Sequence, residues 1–185
     1  MAYAILRIGK IKSHSSATSK AQHNYRLQLT PNADPDQQHC NQEYLNHVLR
    51  NYWDLAQERI QELGLKRLRS DAVRAVEVLL TASPEAFRRD AQGRAADMRD
   101  APWTRDNLRF LQQHLGERNV VSFTLHQDEV TPHVHAVVIP ITEDGRLSAR
   151  DVFSPKSLRQ LQTDYAQAMA AYGVRRGVHY STAIH

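Results

Sequence analysis

Residues 126–135 read His-Gln-Asp-Glu-Val-Thr-Pro-His-Val-His, three imidazoles and two carboxylates in ten positions. In the run before them, Val121, Phe123 and Leu125 alternate with Ser122, Thr124 and His126, the period of a half-buried strand. The run over 133–141 is rich in β-branched residues and reads as a second strand. If the two runs pair as a hairpin, His126 faces His133, with Cβ atoms about 4.5–5.5 Å apart on one side of the sheet. His135, two residues on, points to that same side. Three imidazoles then converge on one point, a geometry suited to a divalent cation with coordination positions left open. Ten histidines in 185 residues make a lone H-x-H pair an expected accident. The third histidine in hairpin register, and Asp128 and Glu129 in the loop, carry the metal reading.

The length suits one domain with a sizeable core. A formal charge of +4 permits a polyanionic partner without demanding one. Cys40 is the single cysteine, which excludes an internal disulfide and a cysteine zinc cluster and fits a reducing cytoplasm. The apolar run at the N-terminus is too short for a signal peptide, and no stretch is long enough to span a membrane. The last residues, 179–185, lack the character of a natural terminus, so the chain reads as the N-terminal piece of a longer protein.

Residues 2–12 alternate and read as a strand, and 16–27 as a short helix with a serine start. Residues 30–40 read as a loop. Asn41 is expected to cap a helix carrying Leu45, Val48, Leu49, Tyr52 and Ala56 and ending near Gly64. Residues 72–81 form the expected central strand, and Ser83-Pro84 an N-cap followed by proline. Further helices are expected after Pro102, stopping at Gly116, and after Ser154-Pro155, ending at Gly173. The order of strands and helices, with a hairpin, gives an α+β single domain over 1–185: a central antiparallel sheet flanked by helices.

A cation needs a nucleophile beside it. Gln22-His23-Asn24-Tyr25-Arg26 offers one, His23 and Arg26 being three apart on a helix and so sharing a face. The H-N-x-R motif at His23 and the later H-x-D-E-x-T-P-H-x-H motif together resemble the MobV (Mob/Pre) relaxases of mobilisable plasmids. These are HUH-class single-strand DNA endonucleases. The resemblance runs over nearly the whole chain, through Arg69-Ser-Asp71-Ala72-Val73, Glu77, Thr81, Asp144-Gly-Arg-Leu-Ser148 and Tyr172-Gly173. It departs at residues 41–45, which read Asn41-Gln-Glu-Tyr44-Leu45 where the family often has an Asn-Tyr-Glu-Leu-like motif.

The resemblance implies an HUH relaxase fold and site-specific nicking of a plasmid origin of transfer during mobilisation. It implies His23 as nucleophile, forming a covalent 5′-phosphoramidate with DNA. His126, His133 and His135 become the ligands of Mn²⁺ or Mg²⁺, Glu129 an acid near metal and nucleophile, and Arg26 a clamp on the scissile phosphate. Asp128 is expected to orient a metal histidine or hold the loop. Tyr44 and Tyr25 are the rival nucleophiles, since other relaxases attack with tyrosine. The partner implied is single-stranded or hairpin origin DNA, with a coupling protein reached through regions beyond this chain and no membrane contact from this domain. Arg7, Lys10, Lys12, Lys20, Arg69, Arg74 and Arg150 are the candidate DNA-binding cations. The alternatives are an HUH replication initiator or transposase, or a non-enzymatic origin-binding protein with a structural metal. A cupin-type oxygenase would want a glutamate shortly after H-x-H, and 136–142 has none.

Overall fold

The alternating N-terminal run forms β1 (Ala2–Ile11), followed by α1 (His14–Asn24), β2 (Gln42–Glu43), α2 (Tyr52–Glu62), β3 (Ala75–Ala82) and α3 (Pro102–Leu115). The histidine segment joins β4 (Val120–His126) to β5 (His133–Val138), and α4 (Ala149–Val152), α5 (Pro155–Ala168) and β6 (Val174–Arg176) complete the order. The computed structural model describes residues 1–177; the segment 179–185, read above as lacking terminal character, lies outside the described residues. The six strands form one sheet in the order β2-β4-β5-β3-β1-β6, antiparallel except where β6 runs parallel to β1. This is the α+β single domain expected.

Strand alternation divides the sheet into two unequal faces. Val76, Val78, Leu80, Phe123, Leu125, Val134 and Ala136 point to one side, where α3 and α5 cover them with Trp103, Phe110, Leu111 and Tyr165, joined by Met169 just past α5. The buried Tyr165 hydroxyl donates to Asn107 Oδ1 at 2.8 Å, so this core strands no phenol. On the second side, α1 and α2 lay Ala17, Ala21, Tyr52, Ala56 and Ile60 over Ile11, Ala75, Val137 and Ile139. Those helices cover only one end. At the other end Ile5, Arg7, Leu79, Thr81, His133 and His135 line an open groove of about 660 Å³. The half-covered face is what gives the site its place.

Helix α5 stops at Ala168, short of the expected end at Gly173, and a separate 3₁₀ turn, Ala170–Tyr172, leads to that glycine. Three further expectations are corrected. Helix α1 starts at His14, its cap Ser13 and Ser16 closing a reciprocal capping box, and it stops at Asn24. Arg26 therefore lies past the helix, at φ 53°, and does not share a helical face with His23. The helix expected from Asn41 begins only at Tyr52, capped by Asn51. In between, the Glu43 carboxylate accepts from the backbone N–H of Leu45, Asn46 and Phe123 and from the Ser122 hydroxyl. Those bonds offer the backbone an alternative to a helix. They leave Val48 78% and Leu49 44% exposed. Finally, Ser83-Pro84 starts only a single 3₁₀ turn, Pro84–Ala86, and Ser83 Oγ accepts from the N–H of Tyr3 at the end of the β1–β3 pair instead of capping the turn.

The stop at Gly116 is as expected and has a steric reason. Gly116 sits at φ 92°, and a Cβ there would meet Asn119 Nδ2 at 2.6 Å.

Candidate active site

His126 closes β4 and His133 opens β5, and the two are cross-strand partners, the register the sequence implied. His135 pairs with Thr124 on one side and Leu79 on the other. The three rings form a near-equilateral cluster, with centroids 5.1 Å (His126–His133), 4.9 Å (His126–His135) and 5.1 Å (His133–His135) apart. One nitrogen from each ring lies within 4.8 Å of the other two.

The second nitrogen of each ring is occupied, which decides which nitrogen is free. His126 Nε2 donates to the Asn24 carbonyl at 2.7 Å, and His133 Nδ1 to the Thr131 carbonyl at 2.9 Å. His135 Nδ1 donates to Glu77 Oε1 at 3.1 Å. Carbonyls and carboxylates only accept, so the lone pairs fall on His126 Nδ1, His133 Nε2 and His135 Nε2. Such outer partners fix tautomer and orientation in histidine metal sites. His126 Nδ1 lies 3.3 Å from His133 Nε2 and accepts from Arg26 Nη2 at 3.2 Å. His126 is fully buried, and burial, with His135, His133 and Arg26 around it, holds its pKa well below the usual imidazole range. A neutral ring is the form a metal requires. The donor set fits a divalent cation.

His23 lies one helical turn past Lys20, near the end of α1. Its ring centroid is 5.8 Å from that of His135 and 6.3 Å from that of His126, and it lines the same groove as His133, His135 and Glu129. Partial burial, then His135 and Arg26, lower its pKa, so the free imidazole persists below the ordinary range.

Arg26 is placed differently from the expectation of a phosphate clamp. Its Nε and Nη2 make a bidentate pair with Asp128 at 2.7 Å each, Nη2 also reaches Glu129 Oε1 at 2.7 Å, and Nη1 donates to the His23 carbonyl at 3.2 Å. Its side chain is 4% exposed and that of Asp128 is 0% exposed. The fork is thus filled by protein. Asp128 holds the loop, its carbonyl also accepting from Asp34 N–H, and its carboxylate is linked to His126 through Arg26 Nη2. Two carboxylates against one guanidinium leave a net negative charge beside the histidines, which favours a cation there. Glu129 Oε1 is 3.7 Å from His133 Nε2.

Glu77 stands within the site although the motifs assign it no role there. Beyond His135, it accepts from Asn24 Nδ2 at 3.1 Å and pairs with Lys20. Burial alone would raise its pKa, but His135 and Lys20 outweigh it and hold the carboxyl down at about 2. The available signal was a lone carboxylate inside the aliphatic run Ala75-Val-Glu-Val-Leu-Leu80.

The remaining expected residues separate clearly. Of the DNA-binding candidates only Arg7 lines the groove. Lys20 is committed to Glu77, and Arg74 to Gln57 and the face of Trp53, 4.6 Å away. Arg69 pairs with Asp71 at the surface, while Lys10, Lys12 and Arg150 are exposed outside the groove. Neither tyrosine lines the groove. The Tyr25 hydroxyl accepts from Asn46 Nδ2 at 2.7 Å, and its pKa is driven far up by burial, Tyr52 and Glu43. The Tyr44 hydroxyl donates to the Arg99 carbonyl at 2.6 Å, and burial with Asp100 and Asp97 pushes its pKa up to about 12.

A family profile described as plasmid recombination enzyme (Mob_Pre) matches residues 1–185. The chain is 31% identical over 188 residues to a plasmid recombination enzyme type 3 of Staphylococcus aureus, covering 96% of this chain and 44% of that protein. It is 35% identical over 191 residues to a 65 kDa protein of Zymomonas mobilis, covering 99% of this chain and 31% of the other. It therefore spans less than half the length of these relatives. Among solved structures, the Mn-bound MobM relaxase domain in complex with oriT DNA of plasmid pMV158 superposes with a TM-score of 0.81 at 26% identity. The match covers 99% of this chain and 94% of that one.

Proposed function

Because the chain belongs to the plasmid recombination enzyme family, we propose that its groove is the DNA-nicking centre of a plasmid relaxase in which His23 is the nucleophile. The observation that carries this is the convergence of His23, His133 and His135 in one open groove over the buried His126, with both rival tyrosines outside it and their hydroxyls occupied. The Mn-bound, oriT-bound MobM domain supports the same ligand and substrate classes for this chain.

Held by His126, His133 and His135, a divalent cation such as Mn²⁺ supplies Lewis-acid stabilisation of the charge that builds on the phosphate oxygens. The chain's own residues do the rest. Neutral His23 attacks the scissile phosphorus; a N–P bond forms and the P–O3′ bond breaks. The 3′ oxygen leaves and takes a proton from solvent, while Glu129 accepts the proton shed by the phosphorylated imidazole. Glu129 is held in place for this by Arg26, whose other bonds fix Asp128 and the end of α1. The 5′-phosphoramidate retains the bond energy, so a 3′-hydroxyl can attack it and rejoin the strand without ATP. Contact with a coupling protein falls, in this reading, to the part of the relatives that this chain does not span.

The test is incubation with labelled single-stranded origin oligonucleotides and Mn²⁺. Wild type should form a covalent adduct, and His23→Ala should lose adduct and nicking while binding Mn²⁺ and DNA within a few-fold of wild type. A His23→Ala variant that still nicks would sink the assignment.

A further inference from the structure

The sheet register places three residues in one row across the open face. Arg7 on β1 is the cross-strand partner of Leu79 on β3, and Leu79 is the partner of His135 on β5. Strands lie about 4.8 Å apart, so Arg7 stands about 10 Å from His135 with Leu79 between them. All three line the same groove, and Ile5 and Pro84 extend its apolar floor around Leu79. Arg7 is exposed, and no ion pair among the described residues engages it. Arg26, the buried cation beside the histidines, has its donors committed to Asp128, Glu129, the His23 carbonyl and His126.

The geometry points to a nucleotide subsite beside the cleaved bond: Arg7 holds a phosphate adjoining the scissile one, and the base between them lies on the aliphatic floor at Leu79. This rests on the reading of the groove as a DNA site and adds which residues grip the strand there. A single strand whose scissile phosphate sits at the histidines must cross the sheet or leave it. The groove runs from His133 and His135 over β3 to β1, and offers first apolar surface, then a free guanidinium. That alternation matches a nucleotide, with an apolar π-face and a charged phosphate. The partly exposed Leu79 has no packing explanation on this face, since α1 and α2 cover only the other end of it. A planar guanidinium also suits a phosphate better than a lysine would.

The experiment is fluorescence-anisotropy titration of a labelled single-stranded oligodeoxynucleotide against salt, with wild type, Arg7→Gln, Leu79→Ala and Arg159→Gln. Arg159 is an exposed cation on α5, behind the opposite face. Each phosphate contact on a single strand contributes about 0.7 to the slope of log K against log salt. Arg7→Gln should weaken binding and flatten that slope by about 0.7, and Arg159→Gln should change neither. Leu79→Ala should weaken binding several-fold with the slope unchanged. An unchanged slope in Arg7→Gln, or equal flattening in Arg159→Gln, would overturn the subsite, as would wild-type affinity in Leu79→Ala. The readout needs no cleavage. A wild-type domain that shows these slopes but never forms an adduct would refute the nicking reading alone.

Discussion

At the scale of single residues, charge balance around Arg26 shapes the site. A buried guanidinium is tolerable because Asp128 meets it with two bonds, at 4% and 0% side-chain exposure. Removing Asp128 leaves the buried guanidinium with Glu129 as its one carboxylate, so Asp128→Ala should lose about 3 kcal/mol of unfolding free energy in denaturant titration, the low end for a broken buried pair. Loss of less than 1 kcal/mol would mean the pair matters little. Arg26→Lys should be poorly tolerated too, because an ammonium cannot reproduce the fork.

His23 permits a prediction about pH. Burial, His135 and Arg26 lower its pKa from the ordinary imidazole value, so the protonated, non-nucleophilic form appears only at more acid pH. The acid limb of adduct formation at saturating Mn²⁺ should therefore have its midpoint below about 6.5, the midpoint of a free imidazole. A midpoint above that would contradict the arrangement.

At the scale of elements, the legible parts were those whose information is local. The His126–His133 register follows from ten consecutive residues, and the structure reproduces it. Helix α3 could be read from Pro102 to Gly116 because start, stop and apolar stripe all lie within it. The misplaced helix from Asn41 failed for the opposite reason: Glu43 spends its carboxylate on Ser122, Phe123 and Thr124, about 80 residues away. The role of Glu77 needed the pairing of β3 with β5, and β6 is three residues whose partner, β1, begins at Ala2. Neither is written in a local pattern. The two sheet faces should also separate in experiment. Leu111 is fully buried under the α3 side, so Leu111→Ala should cost about 2–5 kcal/mol of stability. Mn²⁺ affinity by calorimetry at a temperature where the variant remains folded should be unchanged. A matching loss of affinity would show that the faces are coupled.

At the scale of the whole molecule, one sheet serves two tasks because its faces are covered unequally. The fully covered face supplies the core, and the half-covered one leaves a row of side chains open over β5, β3 and β1. The net charge of +4 does little to locate a polyanion, since Lys20, Arg26 and Arg74 are engaged with the protein itself. Position in the sheet, more than composition, selects Arg7. Among the described residues no helix is long and apolar enough to cross a membrane.

The central claim is that His23 carries the DNA, and the sequence sets a condition on how to test it. His23 and Tyr25 fall in one tryptic peptide, residues 21–26, whereas Tyr44 falls in residues 27–50. Peptide mass alone therefore separates Tyr44 from the other two but not His23 from Tyr25. The decisive measurement is the acid stability of the purified adduct, combined with fragmentation of the modified peptide. The expected result is a nucleotide on residues 21–26 that is released in mild acid, survives alkali, and maps to His23. An acid-stable adduct mapping to Tyr25 or Tyr44 would contradict the account.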